Sequence, residues 1–355
     1  MSVETVQTVQ TVQTVQTVQT VQGATGAGTP GTAPPITLLS QREGILGLGV
    51  LSPGDLPDDA RLTAAGPAAD RLFRVDAGVR AHVILAELRE GLRLGTPPSD
   101  DAARIETVGP DGAGAALVTL HRPAAAALRD GLMHIMGYAD LRAERGAEIV
   151  AQIDDVISYV GASVYLHPAR CPRTVEAMLV AQSLTEGVIH RLKLELGVPR
   201  PAAVLPAVQP LIATPTHYSF PSGHATQAFM AAHLLDAIVG PNAGPGAAEY
   251  MRRAASRTSV NRTVAGLHYP VDSAAGALLG ETLAAHLLSL DGAEAAARPS
   301  ARTLGTDDWP AADDFHLGTW SQAEPDLPAG KPAPARPAPL WAALLQAARD
   351  EWAAP

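Results

Sequence analysis

The chain of 355 residues predicts an all-α fold, a helical bundle, on three observations. Hydrophobic residues make up 46% of it but aromatics only 4%, and much of the apolar content is alanine, which favours helices over sheets. Apolar residues recur at helical spacing through several long segments. Those segments tend to open on proline and to close on glycine or proline, the punctuation of helix ends.

Residues 1–22 include six tandem Thr-Val-Gln triplets, a period of three that fits neither helix nor strand. With the Gly/Thr/Pro/Ala stretch that follows, they form a low-complexity leader and linker over 1–36, expected to be disordered. A helical domain is expected over 37–290. Within it, 79–94 reads as a helix ended by Gly95 and Pro97-Pro98, and 110–114 as a loop. Residues 123–136 read as a helix with Met133 and Met136 packed in the core. Residues 143–160 read as one amphipathic helix, with Val150, Ile153, Ile157 and Val160 on a shared face. Residues 172–196 form a long helix stopped by Gly197 and Pro199. The proline-rich stretch 202–220 has no element of its own, and its length suggests a functional loop. Helices follow over 225–239, 249–265 and from Pro270 to about Leu290. Residues 291–355 are a Pro/Ala-rich tail with Trp309 and Trp320, irregular up to Pro339. A short amphipathic helix over 340–352 could dock on the body or on a partner.

The formal net charge of −10 argues against nonspecific binding to nucleic acid or to an anionic membrane surface, so any cluster of cations requires a reason. A single cysteine, Cys171, excludes an intrachain disulfide and a cysteine-based zinc site. The most apolar windows are interrupted by Gln227, His233, Asp236, Glu281 and His286, so no membrane span is expected. No basic region followed by an apolar one opens the chain, and the expectation is a soluble, cytoplasmic protein.

The stretch Pro221-Ser222-Gly223-His224 enters a helix. Its backbone N–H groups and the partial positive charge of a helix N-terminus suit an oxyanion, Ser222 adds a hydroxyl, and His224 can move protons near neutral pH. Lys193, Arg200 and Arg262 each stand near a helix end, where compensation of the helix dipole would explain any one of them alone. Asp272 follows His268 by four residues, within reach of one imidazole nitrogen if His268 opens the Pro270 helix. That pair could equally be a local cap.

Taken together, the spacing is specific: Lys193, six residues, Arg200-Pro201; then Pro221-Ser222-Gly223-His224; then Arg262, five residues, His268. This resembles the three-part signature of the superfamily that joins type 2 phosphatidic acid phosphatases, bacterial acid phosphatases and vanadium-dependent haloperoxidases. The signature covers about 193–272, and the resemblance implies a helical bundle of that type with the catalytic centre in the 37–290 domain. It departs at Asn261, where the family usually has Ser before the Arg, a position read as peripheral. The resemblance implies that Lys193, Arg200, Arg262, Ser222 and the Gly223 N–H bind the oxygens of phosphate or vanadate. It implies that His268 attacks phosphorus or ligates vanadium, that His224 is the acid/base, and that Asp272 orients His268. The flanks, 215–220 with His217, 225–227 and 278–282, resemble vanadium bromoperoxidases, in which the extra His lies beside the vanadate. On that basis the expected function is halide oxidation by hydrogen peroxide with vanadate as cofactor. The alternative is a soluble acid phosphatase acting on phosphate esters without a cofactor. A homo-oligomer stays open.

Overall fold

The computed structural model describes residues 66–291, 299–310, 313–332 and 334–353. The Thr-Val-Gln repeat lies outside these residues. The chain runs through α1 (Ala77–Glu90), β1 (Leu92–Gly95), β2 (Ala102–Val108), β3 (Gly114–His121), α2 (Ala125–Gly137), α3 (Arg142–Ala151) and α4 (Val156–Gly161). It continues with α5 (Pro172–Leu196), α6 (Gly223–Val239), α7 (Ala247–Val264), α8 (Pro270–Ser289), β4 (Ser300–Leu304), α9 (Leu317–Ala323), β5 (Ala329–Pro332) and α10 (Pro339–Asp350).

Helix α6 is the axis. It is apolar on most sides, and α8, α7, α5 and α4 all pack on it. The tightest contact is with α8. A Cβ at Gly276 would come within 2.7 Å of the Ser222 carbonyl oxygen, and one at Gly280 within 2.4 Å of that of Thr226. Only glycine permits this approach, which sets the starts of α6 and α8 side by side. The Ser222 N–H then donates to the Asp272 carbonyl at 2.9 Å and locks the two together.

The fold is mostly helical, but a five-stranded mixed sheet in the order β1-β2-β3-β4-β5 corrects the all-α expectation. Strands β3 and β4 pair in parallel and the other neighbours are antiparallel. The expected 110–114 loop joins β2 to β3. Gly91 ends α1, so 92–94, expected to be helical, fall with Gly95 in the first strand. The expected 143–160 helix is broken between α3 and α4, where Asp155 caps α4 by accepting the Ser158 N–H. The break rotates Val150 out to 54% exposure while Ile157 and Val160 stay buried. Met133 and Met136 are also surface residues, 71% and 40% exposed, because the core side of α2 is formed by Ala127, Gly131 and Ile135.

The expected irregular tail instead supplies β4, α9 and β5. Its Trp309, Phe315 and Trp320 bury against one another, Phe315 and Trp320 also meeting Phe229 of α6. Helix α10 docks on the body: Trp341 is fully buried and its Nε1 donates to the Leu287 carbonyl of α8. Among the described residues, no helix is long and apolar enough to cross a membrane.

Candidate active site

The C-terminal part of α5, the 205–222 loop, the end of α7 and the start of α8 meet at the N-terminus of α6. Lys193, in the last turn of α5, is 1% exposed. Its Nζ donates to the carbonyls of Tyr218 (3.0 Å), Ser219 (2.6 Å) and Pro221 (2.6 Å), so it pins the loop that leads into α6. Burial, then Arg200, draws its pKa well below the ordinary value, and Asp272 opposes them. Three carbonyls hold the ammonium form, since a neutral amine would turn its lone pair onto one of them.

Arg200, just beyond the Gly197 stop, has every nitrogen engaged. Nε donates to the His217 carbonyl and Nη1 to the Leu267 carbonyl. Nη1 also lies 2.9 Å from His268 Nε2, and Nη2 lies 3.0 Å from His217 Nδ1. Arginine has no acceptor, so both imidazole nitrogens face it as lone pairs. The loop brings His217 to the centre, where its Nδ1 also lies 3.2 Å from the Tyr218 carbonyl, an acceptor that opposes the effect of the cations. Burial, Lys193 and Arg200 pull the His217 pKa down to about 3. His190 on α5 meets it edge-on at 4.9 Å.

His268 sits between Arg200 and Asp272. Its Nδ1–H donates to Asp272 Oδ2 at 2.9 Å, which leaves Nε2 as the free-electron-pair nitrogen on the Arg200 side. The same Oδ2 also accepts from Ser219 Oγ and from the Tyr269 N–H. Burial pushes the Asp272 carboxyl up to about 6, while Ser219, Lys193, the Tyr269 N–H and Arg200 favour its ionised form. Burial, Arg200 and Lys193 hold His268 well below its ordinary pKa. Ser219 is a partner that motif spacing did not single out. A hydroxyl in the loop just before the α6 cap was its only signal.

Ser222 caps α6 through the Ala225 N–H, and Gly223 follows it without side-chain obstruction. His224 keeps partial exposure. Its Nε2 has no partner, and burial and Arg262 press its pKa well below the ordinary value, with the Ile153 backbone opposing. Arg262, fully buried near the end of α7, donates Nη2 to the Ile149 carbonyl and to Gln152 Oε1, while its Nε and Nη1 have no partner. Burial lowers its pKa to about 10. Asn261 is not peripheral, as the sequence suggested. It is fully buried, and its amide bonds Glu148 and Gln152 of the α3 end. Gln152, fully buried, was also missed; its signal was a polar residue between Ile149 and Ile153.

Among the described residues, no ion pair joins Lys193, Arg200 or Arg262 to a carboxylate within 4.0 Å. Asp272 is the carboxylate in the cage, so with neutral histidines two positive charges stand in excess. A buried excess of this kind, with the orphaned Nε–H and Nη1–H of Arg262, is a setting in which an anion would be stabilised. Residues 174–294, which contain every one of these cage residues except the α3 partners, match the family described as the PAP2 superfamily. No curated protein matches the chain significantly.

Proposed function

We propose that the chain is an enzyme of the vanadium-dependent haloperoxidase type, oxidising halide with hydrogen peroxide. The observation that carries an oxyanion reading is Arg262, whose buried Nε and Nη1 lack any acceptor while two more buried cations stand nearby. This donor set fits vanadate as well as phosphate: hard oxygens, a charge of two or more, and an imidazole nitrogen with a free lone pair. Arg262, Ser222 and the Gly223 N–H would hold its oxygens, with Lys193 and Arg200 after exchange of their present partners, and His268 Nε2 would ligate the metal. When bound, vanadate supplies the Lewis-acidic centre at which peroxide becomes able to oxidise halide.

The chain's own groups have definable tasks. Asp272 fixes the His268 tautomer, so that Nε2 faces the anion. Arg200 releases that Nε2 when an oxyanion takes over its N–H groups. His224 Nε2, unpaired and close enough to feel Arg262, accepts or returns a proton. The extra histidine favours peroxide and halide chemistry: His217 Nδ1 touches Arg200, one of the oxyanion cations, and its low pKa keeps it an uncharged hydrogen-bonding group beside the anion.

The second reading is phosphate ester hydrolysis, with which PAP2 superfamily membership is equally compatible. It is favoured by the neutral, oriented Nε2 of His268, a competent nucleophile toward phosphorus, with His224 to protonate the leaving oxygen. Two assays on one preparation separate the readings. The first is bromination of a phenol or diketone by peroxide after reconstitution with vanadate. The second is p-nitrophenyl phosphate hydrolysis without vanadate. Vanadate-dependent bromination is expected; hydrolysis with no bromination rejects the haloperoxidase reading.

A further inference from the structure

Arg262 is held on one side by a neutral amide although a carboxylate lies just behind that amide. Glu148, on α3, and Gln152, which caps its C-terminus, are one turn apart and face Arg257 and Asn261, one turn apart on α7. Arg262 Nη2 donates to Gln152 Oε1 at 3.1 Å. Asn261 Nδ2 donates to the same Gln152 oxygen at 3.0 Å and to Glu148 Oε1 at 2.8 Å, so its amide stands between the two. Gln152 Nε2 donates to Glu148 at 3.1 Å. Glu148 is paired outward, with Arg257 Nη2 at 2.7 Å and the Tyr159 hydroxyl at 2.7 Å.

Burial acts to raise the Glu148 pKa, but Arg257, Tyr159 and Asn261 outweigh it and hold it at about 2. Glu148 is thus a full carboxylate at neutral pH, and its field is felt at Arg262. A carboxylate that turned onto Arg262 would take up the Nε and Nη1 donors and compete with any oxyanion. A neutral amide orients the guanidinium and leaves its charge uncompensated.

We propose that Gln152 and Asn261 are positioning residues that aim Arg262 into the cage and insulate it from Glu148, and that Arg257 neutralises Glu148 so that Arg262 remains free for the oxyanion. This rests on the cage being an oxyanion site, whichever reaction it serves.

Calorimetric titration of the full chain with orthovanadate, and separately with inorganic phosphate, tests the arrangement. Arg257 is 40% exposed and on the far side of Glu148 from Arg262, so Arg257→Gln should fold. It is expected to weaken binding by about tenfold, the scale seen when an outer partner of a ligating group is lost. Adding Glu148→Gln to it should restore affinity, which a general loosening of the fold would not do. A second variant, Gln152→Glu, puts a carboxylate against Arg262 Nη2, at the cost of repulsion from Glu148, and should weaken vanadate binding. Unchanged affinity in Arg257→Gln or Gln152→Glu, or loss in Arg257→Gln without recovery in the double variant, overturns the proposal. Failure of the parent chain to bind either anion overturns the oxyanion reading instead.

Discussion

The two ends of α5 treat buried charge in opposite ways. Near its start, Glu176 is 6% exposed and accepts a two-point contact from Arg80, itself 3% exposed, at 2.6 and 2.8 Å. Arg173 adds a third contact at 2.9 Å, and Arg80 Nη1 donates to the Val75 carbonyl. Both cations there touch the one carboxylate, and the Arg80–Glu176 contact ties α1 to α5. Roughly 25 Å along the helix, Lys193 is equally buried and touches only carbonyls. Arg200 and Arg262 are likewise held by neutral acceptors. Paired charges tie the fold together; the cations left unpaired by carboxylates are the feature on which the proposed oxyanion site rests.

The sharpest way to break this contrast is to remove groups at each end. His268→Ala takes away the oriented Nε2 and should lower either activity by at least about 10³-fold. Survival of turnover would refute the assignment of the centre. At the structural end, Glu176→Ala leaves Arg80 buried without its partner and should destabilise the protein by about 3–5 kcal/mol in denaturant unfolding. Arg262→Met, at the other end, removes an uncompensated buried charge together with two hydrogen bonds. Its stability should stay within about 1 kcal/mol of the parent, because the two effects oppose each other. Orthovanadate should raise the melting temperature of the parent and of Glu176→Ala, but not of Arg262→Met. Equal stability losses in both variants would erase the distinction.

The cage was more legible in the sequence than the scaffold, and the reason is range. Lys193, Arg200, Ser222, His224, Arg262, His268 and Asp272 stand at helix ends, where proline and glycine fix the local conformation and so the spacing. Gly197, with φ at +62°, stops α5 where the sequence placed the stop. The sheet had no such local mark. β3 pairs with β4 from the far end of the chain, and it lacks alternation: the β2–β3 register shift leaves Leu117 unpaired, and residues 117–120 are buried in one unbroken run. Glu148, Gln152 and Asn261 were equally hidden: nothing in their own neighbourhood in the chain says that α3 and α7 cross behind Arg262.

A weaker effect lies on α8, away from the cage. Glu281 is largely buried and accepts the Trp320 indole N–H at 3.1 Å, linking α8 to the aromatic cluster of the C-terminal segment. Unlike Glu176 it has no cation at contact distance among the described residues. Burial raises its pKa from 4.5 to about 7; the Trp320 hydrogen bond and the more distant Arg302 and Arg252 oppose, while Glu324 adds to the rise. The folded state therefore binds this proton more tightly than the unfolded chain does. Its stabilising effect is complete below pH 4.5 and is lost as pH rises toward 7, where the folded protein must ionise a buried carboxyl. Glu281→Gln keeps an acceptor for the indole and removes the titration. Melting temperatures measured across that window should fall less steeply with rising pH in the variant than in the parent. Parallel curves for Glu281→Gln and the parent would mean that the carboxyl is solvated enough to ionise without loss, and that the packing of Trp320 against α8 does not depend on it.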